Sequence, residues 1–143
     1  MDKDVIHKEL DLIQACITRM ASNSFLLKGW TISIIAVVLA LADKSLEPAL
    51  LSSLVLIPLF SFWYLDAFFL RTEKMYRKMY QWVLEKRRVN DTTDLYDLNP
   101  HRFGTQVPSI WRVMWSITLR WFYGIPTLIT SGIIVYRIVK NCL

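Results

Sequence analysis

Two ionisable side chains stand inside stretches otherwise suited to lipid: Lys28 in SNSFLLKGWTIS and Asp66 in FSFWYLDAFFL. A lone charge at the bilayer centre costs roughly 2.5 to 3.5 kcal/mol on insertion scales, so such residues pair, snorkel or line a polar path. Lys28 and Asp66 therefore read either as a structural ion pair near the interface or as a gate between subunits. Gly124, Thr127, Thr130 and Ser131 form a small and polar stripe in the run WFYGIPTLITSGIIVY. Small residues let helices approach closely, and hydroxyls can bond across the gap or face a pore.

Residue types that perform catalysis are not grouped. His7 and His101 are far apart, and neither accompanies a cysteine or an acidic cluster at metal-ligand spacing. Cys16 and Cys142 have neither metal spacing nor a disulfide framework pattern. A glycine-rich phosphate loop and a nucleophile elbow are both missing. The expectation is a protein that is not an enzyme and has no cofactor or metal.

The elements that must position these residues are helices. Of the 143 residues, 54% are hydrophobic, more than a soluble core of this length can enclose. Lipid is expected to cover the remainder. GWTISIIAVVLALA, the break DKSLEP and ALLSSLVLIPLFSFWYLDAFFL read as a membrane hairpin, each arm close to the roughly 20 apolar residues that span a bilayer once the first is extended back through FLLK. Before it, Ile6, Leu10, Ile13, Ile17 and Met20 recur at alternating steps of four and three, which makes one apolar seam on a helix. That helix runs straight into the first span over 4–42, a rod of about 58 Å at 1.5 Å per residue.

The second arm, from Pro48, continues past Leu70 to residue 89 and ends in the basic group Lys86, Arg87 and Arg88. If the arms pair antiparallel, Asp2, Asp4, Glu9 and Asp11 fall level with that basic end. Asp66 falls level with Phe25, about one turn from Lys28. Trp30 falls beside Trp63 and Tyr64, as an aromatic belt at the cytoplasmic face.

Residues 91–109 read as a loop with turns, either a solvated linker or a partner-binding segment. In 110–120, Ile110, Trp111, Met114 and Trp115 share one side, the pattern of an interfacial helix. A third span follows over 121–139, with a bend expected at Gly124 and Pro126. The expected fold is thus all-α in a single membrane domain: a long antiparallel transmembrane hairpin extending into the cytoplasm, an interfacial helix and a third transmembrane helix.

Charge sets the expected orientation. Ten of the 17 basic residues lie between Arg71 and Arg120, against 12 acidic residues in the whole chain. That segment should be cytoplasmic, with the amino terminus inside and the carboxyl terminus outside. The opening MDKDVIHKELDLIQ alternates charges and does not read as a cleavable signal. The basic face of 71–88 is better suited to anionic lipid or helix packing than to nucleic acid.

The core RMASNSFLLKGW, Arg19 to Trp30, within residues 13–41, resembles a recurring amino-terminal stretch of small bacterial inner-membrane proteins encoded in phage-defence or toxin-like neighbourhoods. The resemblance covers about a fifth of the chain and transfers no site residue. It implies a membrane-acting effector, released by a cytosolic sensor, in the bacterial inner membrane. The expected function is an oligomeric effector that permeabilises that membrane in antiviral defence, with the lipid bilayer, copies of itself and a cytosolic protein as partners. The alternative is a non-conducting anchor or sensor that recruits a cytosolic partner through its helical coil. A small transporter subunit is a third class, and it too would need oligomers to enclose space.

Overall fold

The computed structural model describes residues 3–41 and 48–142. The DKSLEP turn, apart from Pro48, and Asp2 lie outside the described residues. Four α-helices and one short 3-10 turn make up the fold: α1 (Lys3–Leu41), α2 (Pro48–Arg88), the turn Pro100–Phe103, α3 (Ile110–Met114) and α4 (Ile117–Cys142). The described residues contain no strand.

Helix α1 has no proline, carries Asp4 in its first turn and continues through Gly29 without a break. Its 39 residues bury one stripe, with Glu9, Ile13, Ile17, Ser24 and Thr31 inside, while the rest of each turn is half-buried or exposed. Ile6, Leu10 and Met20 lie half-buried on that stripe. Helix α2 stays continuous through Pro58, which has no N–H to give the Leu54 carbonyl. Pro58 lines a contact with Thr31, Ile34 and Ile35 of α1 that is too tight to admit water. Packing against α1 holds the helix together where one backbone bond is missing.

The end of α2 is set by Asn90, whose φ of 57° is left-handed. Asp91 N–H donates to the Lys86 carbonyl and Asn90 N–H to the Arg87 carbonyl, the double closure that ends many helices. The chain then turns back along the helices instead of forming a solvated linker. Phe103 and Val107 enter one apolar cluster with Ile13, Ile17, Met75, Met79 and Val83. A second cluster joins Leu59, Trp63 and Ala67 of α2 to Val113 and Met114 of α3 and Leu119 and Tyr123 of α4.

One difference from the sequence reading concerns the last third of the chain. The segment 110–120 is not one interfacial helix: α3 ends at Met114, Trp115 caps it, and α4 starts at Ile117. The reason is packing, because Val113, Met114 and Leu119 are all buried, and one straight helix would place Leu119 about 140° from Met114. Helix α4 carries Pro126 inside it, at the place of the expected bend, and continues to Cys142.

The outer surface is apolar in one zone. Phe25, Trp30, Ile32 and Val37 on α1, Ile57 and Phe60 on α2, and Leu128 and Ile129 on α4 are each at least half exposed. The stretches Lys3–Val38 and Ser53–Arg88 are each long and apolar enough, over part of their length, to cross a membrane. Large apolar side chains on the outside are what a face that meets lipid or another protein presents.

Candidate functional site

Asp66 is fully buried, and three helices converge on its carboxylate. From α1, the Ser24 hydroxyl donates to Oδ1 at 2.5 Å and Lys28 Nζ donates to Oδ2 at 2.6 Å. From α4, the Tyr123 hydroxyl donates to the same Oδ2 at 3.0 Å. Lys28 Nζ also donates to Ser24 Oγ at 2.8 Å, which closes a triangle of ammonium, hydroxyl and carboxylate. The Lys28 side chain keeps 22% of its exposure while that of Asp66 keeps none.

Local sequence explains how the four side chains meet. Ser24 and Lys28 are one turn apart and face the same way on α1. Thr31 continues the stripe, its hydroxyl closed on the Leu27 carbonyl at 2.8 Å. On α2, Leu59, Trp63, Asp66 and Ala67 all lie on the buried side. Trp63 donates Nε1–H to the Met114 carbonyl at 2.9 Å and stacks on Tyr123 with ring centroids 6.0 Å apart. These contacts anchor the start of α4 and hold the Tyr123 hydroxyl over Asp66. Trp63 is thereby an interior residue and not part of an exposed belt, whereas Trp30 is exposed.

Charge is balanced within the cluster, one ammonium against one carboxylate, and every buried side-chain nitrogen and oxygen among the described residues has a partner. Removing one member of a buried pair costs about 3–5 kcal/mol, because the other charge is left without compensation. The cluster therefore holds α1, α2 and α4 in one arrangement.

The remaining sequence candidates are placed elsewhere. Gly124, Thr127, Thr130 and Ser131 are half-buried, and the hydroxyls of Thr127 and Thr130 donate to carbonyls of their own helix, those of Tyr123 and Pro126. A Cβ added at Gly124 would meet nothing within 4 Å, so no neighbouring helix makes a close approach there.

The basic end divides. Arg87 is buried and grips Glu9 with two parallel bonds, Nε to Oε2 and Nη2 to Oε1, both 2.8 Å. Its Nη1 donates to the carbonyls of Asp91 and Thr93. Glu9 in turn accepts from the backbone N–H of Tyr96 at 3.0 Å, and Tyr96 has a left-handed φ of 59°. The Arg87 guanidinium and the Tyr96 N–H hold the Glu9 carboxyl below its ordinary value, against the opposing effect of burial. Lys86 pairs with Asp91 at 2.7 Å, and Arg88 is exposed. The Lys86 ammonium and the Thr93 groups push the Asp91 carboxyl well below the usual carboxylate range.

Sequence reasoning reached Lys28 and Asp66 but not Ser24 or Tyr123. Ser24 had a usable signal, since it continues the seam of Ile13, Ile17 and Met20 with a polar residue four positions before Lys28. Tyr123 had none, because its place depends on where the turn at residues 115–116 points α4.

No protein-family model, curated protein or solved structure matches the chain. Among the described residues no group of histidine, cysteine and acidic side chains could hold a metal ion.

Proposed function

We propose that this chain is a membrane-embedded effector, held at rest by the Ser24–Lys28–Asp66–Tyr123 cluster. On activation by a cytosolic partner or signal, it oligomerises and permeabilises the bacterial inner membrane in antiviral defence. In this reading α1 and α2 form an antiparallel transmembrane hairpin and α4 supplies a third span. Residues 3–23 and 71–114 lie on the cytoplasmic side with the amino terminus, and the carboxyl terminus lies outside. The antiviral setting rests on the resemblance of Arg19 to Trp30.

The observation that carries the proposal is the buried Asp66 with donors from two other helices. A protein that only needed a tether would gain nothing from a carboxylate and an ammonium among apolar helices, since well-packed apolar residues are as stable or more so. A cluster of this kind suits a switch: closed, its charges cancel; opened, it exposes polar groups that cannot remain in lipid and must face water or one another. The stripe from Ile13 to Thr31 connects it mechanically to the cytoplasmic end.

The alternative, a non-conducting anchor or sensor subunit, draws support from the Glu9–Arg87 lock and the docked 91–109 segment, which give the cytoplasmic end a defined surface. Exchanging residues 29–41 and 49–65 for unrelated apolar spans separates the two. Retained activity would favour the anchor, and loss with the protein still in the membrane would favour the effector. A potential-sensitive dye in cells mounting the full toxic response should report depolarisation. An unchanged potential during that response would sink the effector reading.

A further inference from the structure

Just beyond the apolar zone, α2 and the segment before α3 enclose an open cleft of about 220 Å³. One wall is Lys74, Arg77, Lys78 and Gln81, four residues that share a face of α2; the other is Gln106, Val107 and Pro108. Arg77 is engaged by Glu73 at 2.7 Å, but Lys74 and Lys78 have no ion pair among the described residues. Two free ammonium groups and two side-chain amides converge on a cleft whose one neighbouring acid is already neutralised.

The second wall is fixed in place. Arg71 donates to the Gly104 carbonyl and to the Pro108 carbonyl, both at 3.1 Å, and Val107 is buried in the cytoplasmic cluster. Immediately after Pro108 comes α3, whose Trp111 and adjoining Trp115 are both more than 60% exposed. Exposed tryptophans next to an apolar zone mark the headgroup level. Lys74 is four residues past Leu70, about 6 Å along the helix and within a headgroup layer of roughly 5–8 Å, and Lys78, about 12 Å along, is one long side chain above it.

We infer that this cleft is a binding site for the phosphate-bearing headgroup of an anionic phospholipid of the phosphatidylglycerol class, with Lys74 and Lys78 as its charged contacts. Gln81 and Gln106 supply donors for the remaining headgroup oxygens. The inference rests on the membrane reading above, and carbonate extraction of the full chain tests that reading separately. A lipid held there would tie the 104–108 segment, and so the base of α3, to the composition of the cytoplasmic leaflet.

The test uses the purified full chain in a neutral detergent, titrated with short-chain phosphatidylglycerol, short-chain phosphatidylcholine or inorganic phosphate while thermal unfolding is followed. Phosphatidylglycerol should raise the unfolding midpoint, with the other two having little effect. The double variant Lys74→Ala, Lys78→Ala should unfold at the wild-type midpoint without lipid, because both side chains are exposed. Its apparent affinity for phosphatidylglycerol should fall about thirtyfold, given the usual contribution of a basic residue at an anionic surface. The Lys74→Arg, Lys78→Arg variant should retain binding. An equal shift with phosphatidylcholine or with inorganic phosphate, or full phosphatidylglycerol binding by the alanine variant, would overturn the inference.

Discussion

Tyr123 donates a hydrogen bond to Asp66, and its hydroxyl also meets Thr31, so Tyr123→Phe removes this polar anchor while keeping the ring. A bond to a charged group contributes about 1.5–3 kcal/mol, and thermal unfolding in detergent should register a loss of that order. Asp66→Ala should cost more, about 3–5 kcal/mol, because Lys28 is left without its counter-charge. Glu9 gives a prediction with a sign. Its folded-state carboxyl lies below the ordinary 4.5, so its contribution is complete above that value and is lost as pH falls through the folded value. Asp91 acts in the same direction. Unfolding midpoints measured from about pH 7 down to about pH 3 should therefore fall on the acid side, and Glu9→Gln should flatten the fall. The pairing of Lys28 with Asp66 was legible because two charges in apolar runs, placed level by one turn, have few other partners. The two hydroxyls that complete the cluster are common in helices of every kind, and nothing local distinguishes them.

At the scale of elements, the docking of residues 91–109 is the feature that composition concealed. Its Asp, Asn, Pro and Gly mark turns correctly, yet Phe103 and Val107 are buried and Arg71 binds the backbone at two points. Phe103→Ala should destabilise the Glu9–Arg87 end by about 3–5 kcal/mol and open 91–109 to limited proteolysis. A digestion pattern unchanged from wild type would argue against the docked arrangement. Arg71→Lys should loosen the same segment, since one ammonium cannot match the planar fork that reaches both carbonyls. The long helices were legible from period and length, which local sequence carries. The break at Trp115 and Ser116 was not, because Ile110 to Arg120 suits a continuous helix and only burial of Val113, Met114 and Leu119 against α2 requires the turn.

For the whole molecule, two apolar clusters lie in series, one beside the charged ends of α1 and α2 and one among α2, α3 and α4, and Asp66 sits within the second, beside Trp63, Ala67 and Tyr123. Force applied to the Glu9–Arg87 end would travel along a seam packed from Ile13 through Ser24 to Thr31, and its first charged group within the apolar zone is Lys28. The central claim is that the Asp66 cluster keeps a membrane-permeabilising protein closed. Its most direct test is ion flux across vesicles reconstituted with wild type or with Asp66→Asn, together with circular dichroism and sedimentation of each reconstituted protein. Expected is an intact helical assembly in both, with Asp66→Asn vesicles leaking and wild-type vesicles tight. A folded, inserted Asp66→Asn protein whose vesicles are as tight as wild type, or one that simply fails to assemble, would contradict it and leave Asp66 as a structural anchor.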